Sequence, residues 1–253
     1  MIYADSHSHL HLPALATLFS QVCQRHPNSY FAAAAAEESD WPLLLAWKQQ
    51  NPRRRAICLG LHPSQAESQN MLECLERLQC VLEQGGVSAV GEIGLDYALP
   101  VNRKQQQELL QNQLRIALEA NLPVVLHGVR CHGQMIETLK KCSVERGMVH
   151  GFNGHPQVLL GYLKQGMLIS LNSSQLLSSR EHGTEGKWRE IVQNLPLSRL
   201  MLESDCCLDR NGNARTLIDT ELVAQRIATY KGCSENEVLE CAVNNMLYFY
   251  ALT

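Results

Sequence analysis

The stretch SAVGEIGLDYALPVNRKQQQELLQNQLRIALEANLPVVLHG, residues 88–128, decides the architecture. It opens and closes on short strand-like runs, SAVGEIG and PVVLHG. Between them, RKQQQELLQNQLRIALEA from Arg103 spaces Leu109, Leu110, Leu114, Ala117 and Leu118 as one face of a helix. A strand, a helical crossover and a second strand make a parallel unit. The same alternation runs along the chain. Strands are expected from Ile2 (IYADS), Ser29 (SYFAAAA), Ala56 (AICLGLH), Ser88, Pro123, Gly147 (GMVHGF), Met167 (MLISLN) and Arg199 (RLMLESD). Eight such units close most simply as a (β/α)8 TIM barrel, with an open doubly wound sheet as the alternative. No repeat, low-complexity tract or Gly/Ser linker interrupts them, so residues 1–253 read as a single domain. SYFAAAA departs from strand propensity, because alanine is a poor strand former. The tail from Ser234, SENEVLECAVNNMLYFYAL, reads as a final helix with Ser234 as N-cap and Glu237 as its capping-box partner.

Bulk composition narrows the function. The 253 residues are 45% hydrophobic and 19% charged, ordinary for a globular chain able to bury a core. The formal net charge of -3 provides no overall basic field for nucleic acid, so phosphate binding has to come from a local patch or from metal ions. MIYADSHS lacks the basic and apolar regions of a signal peptide, and no apolar run is long enough to span a membrane. The ten cysteines are scattered, as at Cys58 in AICLGL, with no zinc-finger spacing. They are expected to be reduced core thiols in a cytoplasmic protein. Nothing calls for an obligate protein partner.

The chemistry lies at the strand ends. In DSHSHLHLP, from Asp5, His7, His9 and His11 occupy alternate positions, and in an extended chain His7 and His9 leave on one side. In a barrel of this kind the reactive groups gather at the C-terminal ends of the strands. There the chain places His7 and His9, His62 (GLHP), Glu92 (VGEIG), His127, His150, and Glu203 with Asp205. One histidine closing an apolar strand is more often a hydrogen-bonded rim residue than a ligand, and one acid is more often an ion pair or a cap. Several strands ending together in His7, His9, Glu92, His127, His150 and Asp205 point instead to metal. The set exceeds the needs of one catalytic zinc with an open position. It fits two divalent ions about 3.5–4 Å apart, with Glu92 bridging. Mixed imidazole and carboxylate donors are compatible with Mg, Mn or Zn.

With these residues in place, the sequence resembles the TatD-type metal-dependent DNases of the amidohydrolase superfamily. The resemblance spans nearly the whole chain. It rests on ADSHSHL, GLHP, VGEIGLDY, QQELLQNQL before LPVVLH, VHGFNG and LPLSRLMLESD, in the family's order and spacing. It implies a (β/α)8 barrel in which His7, His9, Glu92 and Asp205 hold one ion, and Glu92, His127 and His150 the second. Many amidohydrolases bridge their metals with a carboxylated lysine, whereas strand four here offers Glu92 and no lysine, similar to the TatD pattern. The chain departs from that pattern at His11, where the family commonly has an acid. It departs again at Val129 in HGVRCHG, where an arginine is usual, and at Cys206-Cys207, where a small residue and proline are usual.

The resemblance also implies a reaction. A metal-activated water attacks a phosphodiester of DNA, in the manner of a 3'-5' exonuclease, with Asp205 and Glu92 as the catalytic carboxylates. Asp205 orients the water and accepts its proton. Glu203 shares the strand face and could orient a ligating histidine or form a structural pair. His62, Arg130 and His132 could grip phosphate oxygens, and Tyr97 could stack on a base. Asn153 in VHGFNG and Glu203 complete the expected substrate-side set. Two other functions stay open: a hydrolase of a small amide, lactone or phosphoester on the same site, and a non-catalytic binding barrel.

Overall fold

A computed structural model describes residues 2–177, 183–207 and 219–252. Eight parallel strands pair in sequence order: β1 (Ala4–Asp5), β2 (Tyr30–Ala34), β3 (Arg55–Leu59), β4 (Ala89–Asp96), β5 (Val124–Val129), β6 (Gly147–Val149), β7 (Leu168–Leu171) and β8 (Leu200–Leu202). The ring closes between β8 and β1 by backbone bonds. Ser6 N donates to Leu202 O at 2.9 Å, Asp205 N to His7 O at 3.0 Å and His9 N to Cys206 O at 2.8 Å. Asp5 locks the seam by accepting from Ser204 N at 2.9 Å and from Ser204 Oγ at 2.5 Å. The expected (β/α)8 barrel is the observed one, and the open sheet is excluded.

Helices surround it: α1 (Ala16–Arg25), α2 (Trp41–Gln49), α3 (Met71–Glu83), α4 (Arg103–Glu119), α5 (His132–Lys141), α6 (Pro156–Lys164), α7 (Ser173–Leu176), α8 (Glu185–Asn194), α9 (Asp219–Lys231) and α10 (Glu235–Tyr250). No helix of the described residues is long and apolar enough to cross a membrane. Along α4, Leu109, Leu110, Leu114 and Ala117 are buried as expected. Leu118 is exposed instead, and Ile116 is buried. Two polar residues join the buried face. Gln106 accepts from Asp96 N at 2.8 Å and donates to Asp96 O at 2.9 Å. Gln113 treats Leu61 the same way, at 2.7 and 2.9 Å. Each amide copies the donor–acceptor pair of a neighbouring strand, so α4 holds the chain at the ends of β3 and β4.

The alanines of β2 have a packing reason. Ala32 and Ala34 face the barrel interior with Ala4, Ala56, Cys58 and Ala89. These small side chains leave room for the end of α10, which lies under the barrel and contributes Val243, Met246 and Tyr250 to the same cluster. The buried Tyr250 hydroxyl donates to Ser6 O at 2.8 Å. Ser234 caps α10 by accepting from Glu237 N at 3.2 Å, the half of the capping box that the structure shows. Core demand, rather than strand propensity, selects alanine here.

Candidate metal centre

Glu92 is the hub of the mouth. It leaves β4 where the pairing with β5 shifts register between Val90 and Ile93. The flanking glycines allow β5 to come close: a Cβ on Gly94 would lie 2.0 Å from His127 O. The carboxylate divides its two oxygens between two groups of histidines. Oε2 faces His7 Nε2 at 3.6 Å and His9 Nε2 at 3.7 Å. Oε1 lies 2.6 Å from His127 Nδ1, 2.7 Å from His150 Nε2 and 4.0 Å from His62 Nε2. Asp205 Oδ1 stands 3.8 Å from His7 Nε2. Asp205 takes a left-handed backbone, φ 48°, a conformation uncommon outside glycine. Three sets of donor atoms each fall within 4.8 Å of one another: His7, His9 and Glu92; His7, His150 and Asp205; His62, Glu92 and His127.

The tautomers can be read from the outer contacts. His9 Nδ1 lies 3.0 Å from Ala34 O, so Nδ1 carries the proton and Nε2 presents a lone pair to the mouth. His62 is the reverse. Its Nδ1 accepts from Ser64 N at 3.2 Å, which leaves the proton on Nε2. His62 therefore faces Glu92 as a donor, and burial lowers its pKa to about 4, keeping it neutral. Behind the mouth, Glu203 is fully buried, 3.7 Å from His150 Nδ1, and accepts from Gly151 N and Asn172 Nδ2. Asp96 Oδ2 lies 3.4 Å from His127 Nε2.

The electrostatics ask for positive charge. Burial opposes ionisation of Glu92, yet the His150, His127 and His7 imidazoles hold its carboxyl well below the usual range. Burial works against a charge on His150 too, but Glu92 and Glu203 raise its pKa well above the ordinary imidazole value. Asp96 and Glu92 raise that of His127 against the same penalty. Protons thus gather where a cation would do the same work. His7 supplies the clearest test of fit. Its Nε2 is buried without a hydrogen-bond partner, at distances from Glu92 and Asp205 too long for a shared proton. A buried imidazole left so is costly unless something binds it. Nitrogen and carboxylate donors with no thiolate among them suit a hard or borderline divalent ion.

The other residues named from the sequence take varied places. Glu203 is fully buried behind His150, with Oε1 3.7 Å from its Nδ1. Arg130 is exposed at the end of β5, again with a left-handed backbone, φ 54°. His132 and Asn153 are joined: His132 Nε2 lies 3.0 Å from Asn153 Oδ1, and Nδ1 lies 3.1 Å from the Tyr162 hydroxyl. Tyr97 is tied to α4, its hydroxyl accepting from Gln107 Nε2 at 2.8 Å with Arg103 over its ring. His11 turns from the mouth towards Asp40, 3.5 Å away. A cavity of about 330 Å³ adjoins the centre, between His127, His150, Asn153, Gln175, Trp188 and Asp205. Sequence reasoning missed Asp96, although it lies in VGEIGLDY, four residues after Glu92. It also missed Asp5 and Ser204, whose seam-closing contact joins residues far apart in the chain.

Comparison with known proteins gives the family. Residues 4–251 match the family described as TatD related DNase. The uncharacterized metal-dependent hydrolase YjjV of Escherichia coli K12 is 32% identical over 210 residues, covering 80% of this chain and 78% of that protein. The human deoxyribonuclease TATDN3 is 27% identical over 263 residues, covering 97% and 93%. The crystal structure of the E. coli YjjV protein superposes with a TM-score of 0.86 over 99% of this chain and 98% of that one, at 27% identity. With its barrel and histidine–carboxylate mouth, the chain belongs to the TatD-related DNase family of metal-dependent hydrolases.

Proposed function

We propose that this protein is a divalent-metal-dependent deoxyribonuclease that hydrolyses phosphodiester bonds at a DNA end. The observation that carries the reading is the division of Glu92, with one oxygen towards His7 and His9 and the other towards His127 and His150. That division supports two ions, Mg, Mn or Zn. His7, His9, Glu92 and Asp205 would hold one, and Glu92, His127 and His150 the other. Bound there, divalent ions polarise a phosphoryl oxygen and lower the pKa of water.

The chain's own residues do the rest. Asp205 orients the attacking water and takes its proton. His62 donates from Nε2 to a phosphate oxygen, its tautomer set by Ser64. Glu203 and Asp96 hold the His150 and His127 rings in their working tautomers. Arg130, exposed beside the mouth, draws in the phosphate backbone. His132 and Asn153 act as one hydrogen-bonded unit against the substrate, and Tyr97 offers a ring at the rim. The human relative's deoxyribonuclease name supports DNA as substrate. Residues 1–253 act as one catalytic unit, and ten cysteines with no disulfide among them fit the reducing cytoplasm.

One observation favours a smaller phosphoester as a second reading. The cavity beside the centre is about 330 Å³, and among the described residues its lining includes no lysine or arginine. The test is to purify the protein without chelator, count metals by elemental analysis, and assay single- and double-stranded DNA with Mg or Mn. Glu92→Ala and Asp205→Ala serve as controls. DNA loss with wild type alone is the expected result. Bound metal with intact DNA would redirect the search to small phosphoesters and amides. Failure to bind metal would remove the central claim.

A further inference from the structure

The opposite end of the barrel carries a cavity of its own. The largest cavity among those described, about 710 Å³, lies under the N-terminal ends of the strands, where α10 crosses. Three cations from three separate parts of the chain line it: Lys48 in the last turn of α2, Arg146 before β6 and Arg199 before β8. Each is fixed by carbonyl contacts. Lys48 Nζ donates to Gly86 O at 2.7 Å, Arg146 to Asn121 O at 2.7 Å and Arg199 to Gly166 O at 2.8 Å. Among the described residues none of the three pairs with a carboxylate, although Glu145 lies on the same lining. A guanidinium has five N–H donors, so Arg146 and Arg199 keep several for a ligand. Tyr248 adds a flat ring that is 91% exposed, with Phe249 beside it. Carbonyl capping alone explains where the arginines sit. It does not explain an open cavity that gathers three cations against one carboxylate, with an aromatic ring on the same surface, in a chain whose net charge is -3.

We propose that this groove binds a nucleoside di- or triphosphate, with the phosphates on Lys48, Arg146 and Arg199 and the base on Tyr248. Preorganised cations recognise phosphate oxygens, and an exposed aromatic ring stacks on any base. The volume suits one nucleotide rather than a run of them. Cations drawn from three separate segments match a phosphate chain better than a single phosphate. The site is independent of the metal centre, which lies at the other ends of the same strands.

The test is fluorescence anisotropy of N-methylanthraniloyl-ADP with full-length, chelator-treated protein. Saturable binding is expected. Arg146→Ala with Arg199→Ala should weaken it by about tenfold or more. The corresponding Arg146→Lys, Arg199→Lys pair should retain most of it, with an unchanged thermal midpoint showing that both pairs fold. Tyr248→Ala should weaken the nucleotide while leaving competition by inorganic pyrophosphate unchanged. Glu92→Ala should bind like wild type. No binding, or binding lost in Glu92→Ala and kept in the alanine pair, would overturn the proposal. So would a short single-stranded oligonucleotide that displaces the probe from this groove more tightly than ADP does.

Discussion

At the scale of single residues, the centre separates groups that hold positive charge from groups that hold those groups in place. His62 is the informative case, because its Nδ1 is occupied by Ser64. His62→Ala should lower kcat/KM by about 10–100-fold, the loss of one hydrogen bond to a charged oxygen. Metal content, read by elemental analysis, should stay at the wild-type level, whereas a ligand's removal would lower it. Glu203→Gln should weaken metal affinity by about 10–100-fold, because the glutamine cannot hold the His150 imidazole as the carboxylate does. Metal titration of the variant checks this. Asp5 gives a pH signature. Burial pushes its pKa to about 7 from the ordinary 3.8, so the folded chain binds that proton more tightly than the unfolded one. Its contribution is therefore favourable at low pH and is lost as pH rises from about 4 through about 7. Denaturation of metal-free Asp5→Asn across that range should show a weaker fall in stability than wild type.

At the scale of elements, α4 and α10 do work that their amphipathic patterns do not announce. Gln113→Ala leaves the buried N–H and C=O of Leu61 without partners and should cost about 2–4 kcal/mol, measured by denaturant unfolding. It should also disturb His62, the next residue along. Tyr250→Ala empties the foot of the barrel and should cost about 3–5 kcal/mol, while Tyr250→Phe, which loses the bond to Ser6 O and the weak one accepted from the Cys58 thiol, should cost about 1. The helix over Arg103–Glu119 was legible in the sequence from its leucines. Its glutamines were not, because a polar residue at helical spacing looks the same whether it faces water or a strand end. The alanine run of β2 was legible as a strand only through its place in the alternation. Its reason lies in Tyr250, more than two hundred residues away.

At the scale of the whole molecule, the barrel is a ring of strands with donors at one rim and a tyrosine-tipped helix closing the other. The mouth concentrates carboxylates and imidazoles, so cations should stabilise the fold as well as serve the chemistry. A divalent ion at a hundred times its dissociation constant should add about 2.7 kcal/mol, or roughly 5–10 °C in Tm, and chelation should reverse it. The opposite face, with Lys48, Arg146 and Arg199, supplies the local basic patch that an acidic chain needs to hold phosphate away from metal. This division of charge arises because strand ends and helix ends meet only when the ring closes.

The sequence by itself determined the alternation of strands and helices, the barrel, and the six donors His7, His9, Glu92, His127, His150 and Asp205 at its rim. Those features are local: periodicity sets each element, and a donor placed at a strand's end is carried to the mouth by the parallel topology. Only the tertiary structure decided which oxygen of Glu92 meets which histidine and that His62 presents a proton rather than a lone pair. It also decided that Asp96 and Glu203 stand behind the rings, and that a basic groove opens beneath. Those outcomes depend on side chains brought together across the ring, whose distances and tautomers are set by packing and hydrogen bonding between residues that no sequence window contains.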